Sequence, residues 1–300
     1  MTNIAIGVFN VLLVLLAAPL LDGILRKVRA RIHSRIGPPV MQTYYDIAKL
    51  LVKEDQGGAN SFIFNAAPVV CLGSVLLAAL FVPTGGVVPM GFAGDIIVLV
   101  YVLTLAPLCM CLGGMASGSP YAYVGVSREV MLLMVVEPVL AITLIATAIK
   151  AHSLALSSCI ARYASGPPDI SLIIGAIATF LILQPEVAKV PFDLAEAEQE
   201  IMEGPLIEYS GRKLALFKWS LYSKQIVLFA LLAGTFFPWP RTGHLLLDIV
   251  ISLVKIFVAA VLVEVVAQVF ARLKINQAIR YFAVVIAVAM TGLILAVMGL

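Results

Sequence analysis

Apolar residues run along this chain in eight blocks, each close to the roughly 20 residues a helix needs to cross a bilayer, with most polar residues gathered between them. The blocks fall at about 4 to 25, 62 to 82, 95 to 116, 130 to 149, 170 to 190, 224 to 240, 246 to 270 and 279 to 299. They predict an all-α polytopic membrane protein whose residues 1–300 form a single integral membrane domain. Two of the gaps carry patterns of their own. In the first, residues 31–55, a basic run meets a break at Gly37, Pro38 and Pro39. Beyond it Tyr44, Ile47, Ala48, Leu51 and Val52 recur at helical spacing, with Asp46, Lys49, Lys53 and Glu54 between them. That is the pattern of an amphipathic helix lying on a membrane or protein surface. The second gap, 184–223, is acidic: seven of the chain's seventeen acids lie between Gln184 and Arg212. Pro191 suits the first turn of a helix, where Asp193, Glu196, Glu198 and Glu200 would be favoured by the helix dipole. Glu196, Glu200 and Glu203 would then share one face, so a short acidic helix is expected, with cations needed to offset the stacked like charges.

Composition agrees with the pattern. At 62% hydrophobic and 12% charged, the chain falls well below the charged fraction of about a quarter that is usual for soluble domains. Met1 is not followed by a basic segment, and the first block is followed by further ones, so it is expected to remain as a span and not to be cleaved as a signal peptide. Basic residues alternate between the gaps. Sixteen, among them Arg26, Arg29, Arg35, Lys49, Lys53, Arg128, Lys189, Lys213, Lys218, Lys224 and Arg272, fall on one side, against Lys150, Arg162 and Arg241 on the other. The positive-inside rule then puts the long gaps in the cytoplasm and both termini outside, in a cytoplasmic (inner) membrane. A net charge of +3 reflects this topology, and nucleic-acid binding is not indicated.

Charges inside the apolar blocks are candidates for function, because an ionised group in hydrocarbon is costly. Glu137 precedes Pro138 in the middle of the fourth block, Glu186 follows Pro185 at the end of the fifth, and the seventh holds Asp248, Lys255 and Glu264. Arg128 and Glu129 stand at the mouth of the fourth. With the acidic stretch, the charges inside the fourth, fifth and seventh blocks form a candidate proton route, and neutralising Glu137 or Glu186 is expected to leave assembly intact. Four cysteines, three of them within apolar blocks, do not argue for disulfides, a cluster or a metal site. The basic and acidic gaps on one side suggest a docking surface.

Three stretches, RIGPPVMQTYYDIAKLLVKE, SREVMLLMVVEP and EVAKVPFDLAEAEQEIMEGPLIEYSG, resemble the membrane subunit shared by respiratory complex I and the energy-converting membrane-bound nickel-iron hydrogenases. The resemblance runs the length of the chain. It implies that Glu137, Glu186, Asp193, Glu196, Glu198, Glu200, Glu203 and Glu208 form a proton relay, and that Arg35, Asp46, Lys49, Lys53, Glu54 and Arg128 face a soluble electron-transfer arm. Asp248, Lys255 and Glu264 remain secondary membrane charges. Pro39, Lys189, Lys274 and Asn276 stand where complex I forms usually carry asparagine, arginine, and an arginine-rich motif closing on aspartate. With GSPYAYVGVSRE and EGPLIEYSG, these departures point to the hydrogenase branch, of the Ech, CO-induced and formate hydrogenlyase types. The implied chain binds no cofactor, and the nickel-iron centre and iron-sulfur clusters belong to partners. Those partners are the hydrogenase large and small subunits, an iron-sulfur subunit and an antiporter-like membrane subunit. The alternatives are the quinone-site subunit of a complex I-type enzyme and a free-standing ion transporter.

Overall fold

The computed structural model describes residues 2–59, 61–84, 88–164, 166, 169–240 and 244–299. In chain order the helices are α1 Thr2–Ile32, α2 Gln42–Val52, α3 Phe62–Phe81, α4 Asp95–Ala116, α5 Pro120–Ala151, α6 Leu156–Ala164, α7 Ile170–Glu186, α8 Glu198–Ile201, α9 Gly211–Phe236, α10 Leu245–Val269 and α11 Ile275–Met298. Eight of them, α1, α3, α4, α5, α7, α9, α10 and α11, answer the eight apolar blocks. Local chemistry sets several starts. Ser61 accepts a hydrogen bond from the Phe64 amide at the head of α3, and Pro120 opens α5 where a missing N–H costs nothing.

The bundle is built around α9, whose residues from Ser223 to Phe236 are almost all buried. Helices α1, α3, α7 and α10 pack on it, and a helix apolar on every side belongs inside such a ring. The outer helices turn Leu12 and Leu16 of α1 and Val284 of α11 outward. Two ends of the bundle follow from the alternation. One carries residues 33–59, 61, 117–119, 187–210 and 270–274; the other carries 82–84, 88–94, α6, 237–240 and 244.

The amphipathic segment forms as expected. Helix α2 turns Thr43 and Ile47 inward, and the Gly37–Pro39 break ends in the turn that starts it. Elsewhere the expectations need correction. The helix at the sixth block starts at Gly211, not near residue 224, so Lys213, Lys218 and Lys224 lie within α9 and the acidic connection covers 187–210. Helix α5 starts ten residues before the block at 130. Helix α6, an amphipathic turn beneath the far end, has no counterpart among the apolar blocks. Arg241, counted in the charge asymmetry, lies outside the described residues.

The acidic helix is absent. Pro191 sits in a turn, residues 189–197 are irregular, and only the four residues of α8 are α-helical, with a single 3-10 turn at Gly204–Leu206. The reason is burial. Phe192, Leu194, Ala195, Ala197, Ile201, Leu206 and Tyr209 are each 6% exposed or less, and no single helix could point all of them inward. Helix α7, at 17 residues, falls short of the roughly 20 that span a bilayer, and the irregular segment continues from its end. Phe192 locks the segment to α11, its ring 4.7 Å from Tyr281 and 5.3 Å from Phe282. At the other end the 204–206 turn has no room for a side chain: Gly204 has φ +47°, and a Cβ on Gly125 of α5 would lie 2.6 Å from Pro205.

Candidate functional site

Three acids of the acidic segment are paired with cations from neighbouring elements. Asp193 accepts from Arg272 at 2.6 Å, Glu200 from Arg128 at 2.7 Å, and Glu203 from Lys218 at 3.3 Å. Those pairs supply the countercharge that the clustered acids require. Arg128 also donates to the Leu194 carbonyl at 3.2 Å, so a side chain expected to face an arm is engaged within the chain. Asp46 is likewise taken up by Arg26 at 3.0 Å, whereas Arg35, Lys49, Lys53 and Glu54 stay exposed. Glu208 lies half-buried against Gly58. The side chain of Glu198 lies outside the described residues.

Beneath the segment is a cavity of about 300 Å³ whose walls are strongly charged. Asp193, Glu196 and Glu203 face it, as do Arg29, Lys189 and Lys218. Glu196 differs from its neighbours: its Oε1 is buried and meets no hydrogen-bond donor among the described residues. Burial, aided by the charges of Asp193 and Glu203 and opposed by Lys218 and Lys224, pushes this carboxyl up to about 7.

Ala188 belongs both to that cavity and to a smaller one of about 20 Å³ deeper in the bundle, lined by Glu129, Glu186 and Lys224. A third, of about 10 Å³, continues past the same three residues to Val136. Cavities of about 10–15 Å³ and above hold a water when polar groups surround them. Lys224 and Glu186 form an ion pair at 2.6 Å with both side chains under 10% exposed. Glu137, beside Val136 on α5, lies within reach of the charges of Glu186 and Lys224.

Glu186 therefore answers a buried cation, which corrects the expectation that it can be neutralised at no cost to assembly. Lys224 and Glu129 belong to this buried group; sequence reasoning notes Glu129 only as a residue at the mouth of the fourth block and counts Lys224 only as a basic residue of the cytoplasmic side. Lys224 falls at the edge of the sixth apolar block, and only the true start of α9 places it 13 residues inside a helix, about 20 Å along the axis. A lysine within an otherwise apolar helix is the available signal.

At the other flank, Glu264 of α10 is fully buried between Arg29 of α1 at 2.7 Å and Lys189 at 2.6 Å. Gln268 donates to the same carboxylate at 2.9 Å. Two cations on one acid tie α1, the root of the acidic segment and α10 together. Asp248 and Lys255 share a small cavity at the opposite end, far from the acidic segment, so the structure does not bring them into the line. Taken together, Glu196 and its cavity, then Glu186, Lys224 and Glu129, then Glu137, make a row of titratable groups from one end of the bundle toward its middle. Such a row can bind, hold and pass protons through single waters.

Comparison with known proteins bears on the family and the fold. A family model described as NADH dehydrogenase matches residues 4–297. The chain is 39% identical over 272 residues to formate hydrogenlyase subunit 4 of Escherichia coli (strain K12), covering 86% of this chain and 87% of that protein. It is 38% identical over 270 residues to hydrogenase-4 component C of the same organism, covering 87% and 85%. To an NADH-quinone oxidoreductase subunit of Geobacter sulfurreducens it is 34% identical over 227 residues, covering 71% and 68%. Among solved structures, a chain of the membrane-bound sulfane sulfur reductase, an archaeal respiratory membrane complex, superposes with a TM-score of 0.90. That match has 26% identity and covers 99% of this chain and 100% of that one.

Proposed function

Because this chain belongs to the NADH dehydrogenase family, we propose that it is the anchor and proton-relay subunit of an energy-converting, membrane-bound nickel-iron hydrogenase complex. The carrying observation is the row from Glu196 through Glu186, Lys224 and Glu129 to Glu137. One ammonium facing three carboxylates gives this group the capacity to take up protons, and the waters that fit its cavities give them a path. The similarity to formate hydrogenlyase subunit 4 and hydrogenase-4 component C favours hydrogen evolution from formate- or ferredoxin-derived electrons. The quinone-linked relative is lower in both identity and coverage, so the quinone-site reading ranks second.

In this reading the nickel-iron centre and the iron-sulfur clusters sit in the hydrogenase large and small subunits and an iron-sulfur subunit. These dock on the face that carries Arg35, Lys49, Lys53 and Glu54, and an antiporter-like membrane subunit continues the route. That face is cytoplasmic, in the inner membrane. A change of charge above the acidic segment shifts protonation at Glu196, and the shift passes to the Glu186–Lys224–Glu129 group as a change of field. In sealed vesicles, Glu137→Gln should lower ion uptake per hydrogen formed while hydrogen evolution from an artificial donor persists. Unchanged uptake per hydrogen would remove the relay role.

A further inference from the structure

An interior proline removes one amide from a helix and frees the carbonyl four residues before it, which in a membrane must find a donor on a neighbouring element. Such prolines stand in α1, α3, α4, α5 and α7, and among the described residues three of the freed carbonyls meet an aromatic side chain that carries a donor. Trp219 Nε1 donates to Leu15, four before Pro19, at 3.0 Å. The Tyr209 hydroxyl donates to Phe64, four before Pro68, at 3.2 Å, and the Tyr281 hydroxyl to Leu181, four before Pro185, at 3.0 Å. Tyr281 also packs its ring on Phe192, at 4.7 Å. One side chain of α11 therefore holds both ends of the stretch 185–192, Pro185 and Glu186 on the α7 side and Phe192 on the side of the acidic segment. Ala188, midway, is common to the charged cavity beneath that segment and the small cavity of Glu186, Lys224 and Glu129. It sits at φ +51°, a left-handed conformation that persists in a residue with a side chain only where its surroundings impose it.

We propose that Tyr281 is a positioning residue of the proton row, its hydroxyl and ring together fixing the passage at Ala188 between the two cavities. This rests on the relay reading above. The small cavities have room for single waters, and a proton passes only between groups about 2.6–3.2 Å apart or joined by one water. The row therefore tolerates little drift between Glu186 and the acidic segment. Lys224 fixes the Glu186 carboxylate but not the backbone that carries it. Gln184 Nε2, on the Val263 carbonyl at 3.0 Å, ties that backbone to α10, and Tyr281 ties it to the acidic segment itself.

The test uses the assembled complex and Tyr281→Phe, which keeps the ring and removes the donor. Spin labels on cysteines introduced at Ile177 of α7 and Met202 of the acidic segment, both exposed, read the distance across the joint, and the native cysteines are buried. In Tyr281→Phe the distance distribution should broaden and ion uptake per hydrogen formed should fall several-fold, with the arm bound and hydrogen evolution from an artificial donor at the parental level. Tyr281→4-aminophenylalanine, which restores a donor on the same ring, should return both. Tyr209→Phe, which strips the same kind of bond from α3, should leave uptake per hydrogen parental, and an equal loss there would overturn the positioning role. So would an unchanged distribution in Tyr281→Phe, or parental uptake in Tyr281→Phe vesicles under conditions where Glu137→Gln is impaired. Unchanged uptake in Glu137→Gln strikes the relay reading instead, and the distance distribution then decides alone whether Tyr281 holds the joint. Should Tyr281→Phe fail to assemble, assembly of the 4-aminophenylalanine variant with parental uptake would support the donor, and its failure too would overturn it.

Discussion

Glu186→Gln tests the site most directly, because the structure separates it from Glu137→Gln. The Lys224 and Glu186 side chains approach to 2.6 Å with 7% and 6% exposure. Two unit charges at that separation attract by about 6 kcal/mol at an effective dielectric of about 20, and much of this offsets the cost of taking both out of water. What a single substitution loses is set by the charge left behind, about 3–5 kcal/mol for a broken buried pair. Lys224 still shares its cavities with Glu129, so the lower end, about 3 kcal/mol or roughly two decades in the folded population, is expected. Removing both charges in Glu186→Gln/Lys224→Gln should recover part of the loss, since no buried charge is stranded. Glu137 is hydrogen-bonded to no cation of this row, and Glu137→Gln should cost under about 1 kcal/mol. The assay is the thermal midpoint of the assembled complex, followed by size-exclusion after heating, with ion uptake measured on the same preparations. Expected is a low midpoint for Glu186→Gln and for Lys224→Gln, a partial return in the double variant, and weak uptake with a parental midpoint for Glu137→Gln. Glu186→Gln with both parental stability and parental uptake would refute the reasoning.

Glu264→Gln should destabilise assembly by about 3–5 kcal/mol, because two cations lose their shared acid, while Lys189→Arg should hold near the parent in the same heating assay. Glu196 should titrate near neutrality: the folded state keeps a proton that the unfolded state, at 4.5, has released, so its contribution favours the fold at acid pH and is lost as pH rises through about 7. A protonated-carboxyl infrared band that titrates at about 7 in the parent and is missing in Glu196→Gln checks this; a midpoint under about 5 would reject it. A cysteine at Met202, 61% exposed on the acidic segment, should resist an impermeant thiol reagent added outside intact cells, and labelling from outside would invert the topology. Lys49→Glu on the exposed face of α2 should release the soluble arm more readily as salt rises, since exposed charges are screened; full retention on washed membranes counts against that docking face.

How much of this is legible in the sequence depends on what each element answers to. Apolar blocks answer to length, and all eight mark helices, of which seven among the described residues are long and apolar enough to cross a membrane and α7 is shorter; α2 answers to a 3.6-residue period and is readable too. The acidic stretch misleads because its charges suggest a helix start, while Phe192, Leu194, Ala195 and Ala197 require burial that a single helix face cannot give. Lys224 escapes for the opposite reason. Its partner Glu186 lies 38 positions earlier, and a pair so distant makes no local pattern. The Glu264 clamp is equally long-range, as Arg29 and Lys189 come from two other elements. Glu137 and Glu186 are readable because a carboxylate beside a proline in an apolar run is conspicuous without knowledge of its partners.

The glycine contact between α5 and the 204–206 turn has a consequence for how a signal travels. With Gly125 and Gly204 pressed backbone to backbone and Phe192 wedged against α11, the acidic segment is pinned at both ends and has little freedom to swing as a lid. Under the function proposed above, an electron arriving above it would be felt below as a change in potential across a fixed frame, closer to a capacitor plate than to a lever.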